Sequence, residues 1–269
     1  MPKISIIAPA YNAENFIQRY IDSVLAFEHK AIQLILVNDA STDNTHDIIE
    51  SNRERIENAG IEFIYINLDE NKGQANAIDV GLKYVTGDYL SWQDVDDIFY
   101  PNCLSRSLEV LLQNPECKML FSKALIVDEN RNYDKENPKY IPAKKFVHKN
   151  LFMDYIFSRN VIFAPMRFVE TRALFDVLKD KSIFISRGGQ NLQLLLPMTY
   201  KYKWVYIDEI LSEYVVYKSS HSHRVSPRKY RKARFQIYVN TIYSINMPFY
   251  QKACYIFLVL CEFVRLMFK

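Results

Sequence analysis

The sequence predicts an α/β protein, with a mainly parallel central sheet flanked by helices and a helical C-terminal appendage. Three observations lead there. In the first hundred residues, short β-branched apolar runs alternate with longer amphipathic stretches, the pattern of repeated βα units. Each apolar run ends in a cluster of Asn, Asp, Ser or Gly. A chain of 269 residues, 49% of them hydrophobic, is also long enough to bury a full core.

Taken in order, strands are predicted at 4–8, 33–38, 62–67 and 88–92, and helices at 14–27, 43–58 and 74–85. Ser41 or Thr42 can cap the second helix, with Asp43 in its first turn, and Gly87 ends the third. A further helix follows Pro101, and 118–127 reads as a strand. The polar stretch 130–145, with Pro138 and Pro142, predicts an excursion loop or weak hairpin suited to a flap. Beyond it the alternation loosens: helix-like segments at 151–157, 169–178 and 192–202 mix with strands at 204–207 and 211–217. The division expected is a catalytic unit, 1–226, and an appendage, 227–269. Within the unit, 1–100 forms a nucleotide-binding half and 101–226 an acceptor-side half.

Composition excludes some classes. With only 6 Gly there is no Gly-x-Gly-x-x-Gly and no phosphate-cradling P-loop, which argues against a Rossmann dehydrogenase or a P-loop enzyme. Cys103, Cys117, Cys254 and Cys261 lack metal-ligand spacing and read as reduced, mostly buried thiols of a cytosolic protein. The opening apolar run is too short for a signal sequence, so a first strand and no export are expected. Net charge is +3, but Arg224, Arg228, Lys229, Arg231, Lys232 and Arg234 cluster. No nucleic-acid motif accompanies them, so no nucleic-acid partner is expected. The apolar segment 250–269, broken by Glu262 and Arg265, is too short and interrupted to span a bilayer. It either lies at an anionic membrane surface with the basic run, through 224–269, or docks on the protein's own core.

The chemistry gathers at the strand ends. The first offers Pro9, Ala10, Tyr11 and Asn12; the second Asn38, Asp39 and Ser41; the third Asn71, Lys72 and Gly73; the fourth Asp94, Asp96 and Asp97. In a parallel sheet these ends converge on one edge, where ligands bind. Three acids within four residues repel one another unless something positive sits among them. A divalent cation completed by phosphates meets that need, and an acidic turn capping the next helix is the structural alternative. Tyr11 can stack on a base, Asp39 can accept from a ring N–H or ribose hydroxyl, and Asp96 can hold Mg²⁺ or Mn²⁺ on a diphosphate.

Residues 4–12 (ISIIAPAYN), 37–45 (VNDASTDNT), 71–73 (NKG) and 89–97 (YLSWQDVDD) together resemble family 2 glycosyltransferases of the GT-A fold. The resemblance is strong over about 3–130 and thinner afterwards. It implies metal-dependent, inverting transfer of a sugar from a nucleoside-diphosphate donor, a UDP-sugar in preference to GDP- or dTDP-sugar. The acceptor implied is a glycan or lipid-linked glycan, in cell-surface polysaccharide synthesis at the inner face of a membrane. By the same match Pro9, Tyr11 and Asp39 would bind the nucleoside, Asp94 the ribose or donor sugar, and Asp96 the metal. His221, in the run His221-Ser222-His223-Arg224, would complete the metal or diphosphate site; the alternative for that run is a solvated loop.

Two departures stand out. Relatives often carry Arg-Asn where this chain has Ile78-Asp79. They also offer an acidic pair at the start of a helix beside the acceptor, whose Asp is the general base; here Gln190 and Asn191 occupy that position. An amide cannot take a proton at neutral pH. Asp97, ahead of Asp176, Asp180 and Glu170, is then the expected base, and Gln190 and Asn191 either bind acceptor or donor hydroxyls or belong to a turn and helix cap with no chemical role. The same departure also fits a non-catalytic nucleotide-sugar-binding subunit.

Overall fold

The structure, a computed structural model, describes residues 1–141, 150–157, 165–217 and 227–267. Its first four strands, β1 (Ile4–Ala10), β2 (Ile32–Asn38), β3 (Glu62–Asn67) and β4 (Tyr89–Trp92), are parallel, with β1 between β2 and β4 and β3 outside β2. All four carboxyl ends therefore reach the same edge. The helices between them are α1 (Ile17–Leu25), α2 (Thr45–Ser51), α3 (Arg53–Asn58) and α4 (Gln74–Leu82). The sequence predicts one helix over 43–58; the structure breaks it at Asn52, whose buried side chain bonds Ile48 O and Gln18 Oε1.

The rest of the sheet is mixed. It comprises β5 (Ile98–Phe99), β6 (Cys117–Asp128), β7 (Tyr140–Ile141), β8 (Arg167–Glu170) and β9 (Lys203–Val216). The strand β8 runs antiparallel between β4 and β6, β9 is parallel to β6, and β5 closes the far edge against β9. The sequence predicts helix over 169–178. Instead Phe168 and Val169 pair with strands on both sides, and the helix α7 (Thr171–Val177) starts only after them. The two strands expected at 204–207 and 211–217 are one, β9, whose register against β6 shifts near Ser122 and Lys123. Within the excursion after β6, Arg131 forks onto buried Glu213 at 2.8 and 2.9 Å, and β7 pairs back on β6.

Period-two alternation divides the core between the two faces of the sheet. Ile4, Ile6 and Ala8 of β1 pack with α1, α2, α3 and α5 (Cys103–Gln113). Ile7, with Ile35 and Val37 of β2, faces α4, α6 (Leu151–Ile156), α7 and α8 (Gln190–Lys201). The appendage is a hairpin of α9 (Pro227–Ser244) and α10 (Phe249–Met267). Ile237, Tyr238, Ile242 and Val259 join that second core, and Tyr238 OH donates to Tyr155 O at 2.6 Å. Of the four free cysteines only Cys103 and Cys117 are buried; Cys254 and Cys261 on α10 are exposed, contrary to the expectation of mostly buried thiols. No helix of the described residues is long and apolar enough to cross a membrane.

Because Ile237 is packed against the start of α8, Ile237→Ala should cost about 2–4 kcal/mol of stability, read as a lower urea midpoint. An unchanged midpoint would mean that the hairpin contributes nothing to the core.

Candidate active site

The edge where β1, β2 and β3 end is built from backbone as much as side chain. Asp39 N donates to Ala10 O at 2.8 Å, carrying the β1–β2 pairing one residue past the strands. The Asp39 carboxylate then turns toward the loop after β3 and accepts from Lys72 N at 3.1 Å and Gly73 N at 2.7 Å. Carboxylates have about four lone-pair positions, so these two bonds leave others unfilled on a residue that is 2% exposed. Gly73 has φ +93° and ψ 165°, a conformation open essentially to glycine alone, and any Cβ there would collide with the Arg187 backbone. That close approach brings the loop 71–73 against the turn leading into α8.

On the other side of Asp39, Asn12 holds φ +48° while its Oδ1 accepts from Thr42 N at 2.9 Å and its N donates to Ser41 Oγ at 2.9 Å. Tyr11 beside it leaves its ring exposed, and Pro9 and Ala10 form the floor as the last residues of β1. Tyr11, Asn12, Asp39, Asn71, Lys72 and Gly73 thus converge on one rim.

The three carboxylates after β4 prove to be in three different situations. Asp94 accepts from Gln74 Nε2 through one oxygen and from Arg167 Nη2 at 3.0 Å through the other. Arg167 is 1% exposed, lies with its guanidinium 5.7 Å from the Trp92 ring centroid, and leaves Nε without a partner. Asp97 is 3% exposed, and its Oδ1 accepts from Val215 N on β9 at 3.2 Å. Burial, then the charges of Asp96 and Asp94, hold its carboxyl well above the usual carboxylate range. Asp97 therefore faces the sheet and ties the loop to β9 through Val215.

Asp96 alone has a carboxylate that bonds to no other residue among those described. Its backbone is fixed, since Arg19 Nη2 donates to its carbonyl at 2.8 Å and Tyr217 OH at 3.2 Å. Burial, then the neighbouring Asp94, pushes its carboxyl up to about 6. No group of three or more His, Cys, Asp or Glu capable of holding a metal occurs among the described residues. One free carboxylate still fits a hard cation that keeps most of its shell for waters and phosphate oxygens, as Mg²⁺ and Mn²⁺ do on a diphosphate. His221 lies outside the described residues.

Gly189, with φ +81°, sets the entry to α8, and a Cβ there would lie 2.7 Å from Ile237. Of the next two residues, Asn191 accepts from Trp92 Nε1 at 2.7 Å, which joins α8 to the carboxylate loop. Gln190 is buried with Oε1 lacking a partner. The other carboxylates weighed as bases sit elsewhere. Glu170 pairs in register with Tyr89 at the opposite end of β4 and bonds Lys118 at 2.6 Å. Asp176 is tied to Lys201 at the far end of α8, about 16 Å along the axis from Gln190. Asp180 is exposed on a turn after α7. Sequence reasoning missed Arg167, Gln74 and Arg19. Arg167 did carry a signal: it is the one charge in the apolar run 161–169, and a buried guanidinium requires a carboxylate.

The glycosyl transferase family 2 model matches residues 5–169 of this chain, which include all of these strand ends. The chain belongs to glycosyl transferase family 2. Its fold is GT-A: S. aureus TarS 1–349 in complex with UDP superposes with TM-score 0.68 at 18% identity, over 96% of this chain and 70% of that one. The mannosyltransferase PcManGT from Pyrobaculum calidifontis, in complex with GDP-Man and Mn²⁺, gives TM-score 0.59 at 15% identity over 98% and 73%. Among sequences, TuaG of Bacillus subtilis, a glycosyltransferase named for teichuronic acid biosynthesis, is 28% identical over 87% of this chain and 85% of its own length. Uncharacterised glycosyltransferases of Rickettsia species are 34–38% identical over 41–49% of this chain, and the chain spans only 17–32% of their length.

Gly73→Ala should destabilise this family 2 chain by about 3 kcal/mol in urea unfolding, because both φ and the Arg187 contact oppose a Cβ. Wild-type stability in that variant would show that the loop 71–73 does not make this close approach.

Proposed function

We propose that the chain transfers a sugar from a nucleoside-diphosphate donor, a UDP-sugar in preference, to a glycan or lipid-linked glycan, with inversion and in cell-surface polysaccharide synthesis. The observation that carries this reading is the placing of a free carboxylate, Asp96, one loop away from a rim built on Tyr11, Asp39 and residues 71–73. In this reading Tyr11 stacks on the base, and the spare lone pairs of Asp39 accept from a ring N–H or a ribose hydroxyl. Lys72, whose side chain is half exposed, answers phosphate charge. Asp96 and the diphosphate would hold Mn²⁺ or Mg²⁺, which supplies charge stabilisation to the leaving group. Asp94, fixed by Arg167, faces the donor sugar. The amides of Gln190 and Asn191 bind sugar hydroxyls, and the unpartnered Gln190 Oε1 is the kind of atom a hydroxyl satisfies.

A second reading is favoured by one observation: the start of α8 carries amides and no carboxylate. On that reading the chain binds nucleotide-sugar without turning it over, as a subunit. Donor hydrolysis across several nucleotide-sugars with Mn²⁺ separates the two. Turnover supports the transferase; metal-dependent UDP binding with no turnover of any donor supports the subunit.

Asp96→Asn should lower metal-stimulated hydrolysis by about a hundredfold or more. Protons compete with the cation for this carboxylate, which burial and Asp94 make easier to protonate, so in the wild type stimulation should fade at acid pH and be restored by more metal. Unchanged activity in Asp96→Asn would remove the metal role of this residue.

A further inference from the structure

The helix α10 is apolar on two sides, and only one of them is covered. Its inner side meets the body: Tyr255 packs on Phe152 with ring centroids 4.9 Å apart, Phe263 packs on Phe235 at 5.0 Å, and Val259 is buried. Its outer side carries Tyr250, Cys254, Phe257, Leu260, Cys261 and Val264, all exposed, with Tyr250 at 70% and Phe257 at 62%. Their three- and four-residue spacing sets them in one stripe along the helix. At the hairpin turn Tyr243 and Phe249 are exposed as well. A continuous patch of this kind marks an interaction surface, since water is a poor neighbour for it.

The net charge of the hairpin chooses the occupant of the stripe. The contact of Phe235 with Phe263 lays the first half of α9 along the last turns of α10. By sequence that half contains Arg228, Lys229, Arg231, Lys232 and Arg234 and α9 contains no acid; Lys232 is exposed, while Arg234 lies over the Tyr238 ring. Arg265 is exposed at the same end of the hairpin, and Glu262, paired with it, is the one acid in residues 227–269. A second copy of the chain on this face would set two cationic hairpins against each other. An anionic bilayer takes both features at once: apolar side chains below the headgroups and cations among the phosphates. We infer that the outer face of α10 is an interfacial membrane anchor, lying in the surface of anionic lipid without crossing it.

The inference deepens the membrane-side reading of the acceptor and uses no residue of the candidate active site. Its failure would leave sugar transfer untouched. The test is flotation of the purified full chain with vesicles of phosphatidylcholine, alone or mixed with phosphatidylglycerol. Binding should require the anionic lipid and weaken with salt. Phe257→Glu and Leu260→Glu should each reduce partitioning about tenfold, whereas Phe257→Leu retains it. Both positions are exposed, so thermal melting and UDP binding should be unchanged in every variant. Equal partitioning of wild type and Phe257→Glu, or no binding to anionic vesicles, would overturn the inference. So would a dimer in sedimentation that cross-links through Cys254 or Cys261 and dissociates in Phe257→Glu, which would assign the face to a second copy.

Discussion

The guanidinium of Arg167 is the charge on which the loop after β4 depends. Three carboxylates in four residues would drive that loop apart in a dry environment. Arg167 enters from β8, fully buried, and bonds Asp94 while its flat face lies over Trp92. The pair is expensive to break, because removing Asp94 strands the buried guanidinium and removing Arg167 leaves a carboxylate only a quarter exposed beside two other acids. With Asp94 held by Arg167 and Gln74, and Asp97 spent on the β9 backbone, Asp96 is the acid left for something outside the chain. The division of labour among three adjacent acids thus follows from where one cation sits.

The same network fixes the relation of the two halves of the sheet. Trp92 reaches Asn191 at the start of α8, Gly73 lies against Arg187 just before it, and Gly189 admits Ile237 of α9. The loop after β3, the end of β4, the start of α8 and the C-terminal hairpin are therefore in successive contact. A hairpin fixed to the body in this way holds its exposed face in a set orientation relative to the site.

Much of the first half was legible in the sequence because its elements are consecutive. Each βα unit announces itself by local period, and parallel order alone brings the strand ends to one edge. The polar residues at those ends, Asp39 and residues 71–73 above all, needed no distant partner to be noticed. What was not legible depends on non-local pairing. Val169 read as the start of a helix because only its neighbours β4 and β6, far away in sequence, make it part of a strand. Spacing also cannot say which of two adjacent carboxylates turns inward; the bond of Asp97 to Val215 decides that. The divided face of α10 was ambiguous for the same reason: one helix both docks on the core and exposes an apolar stripe.

A double-mutant cycle on Arg167 and Asp94 tests the central claim most directly. Arg167→Met should cost about 3–5 kcal/mol of unfolding free energy, and adding Asp94→Asn should recover about 2 kcal/mol of it, because the stranded charge is gone. Strict additivity of the two substitutions, or a single Arg167→Met of wild-type stability, would contradict the account that this buried pair organises the loop.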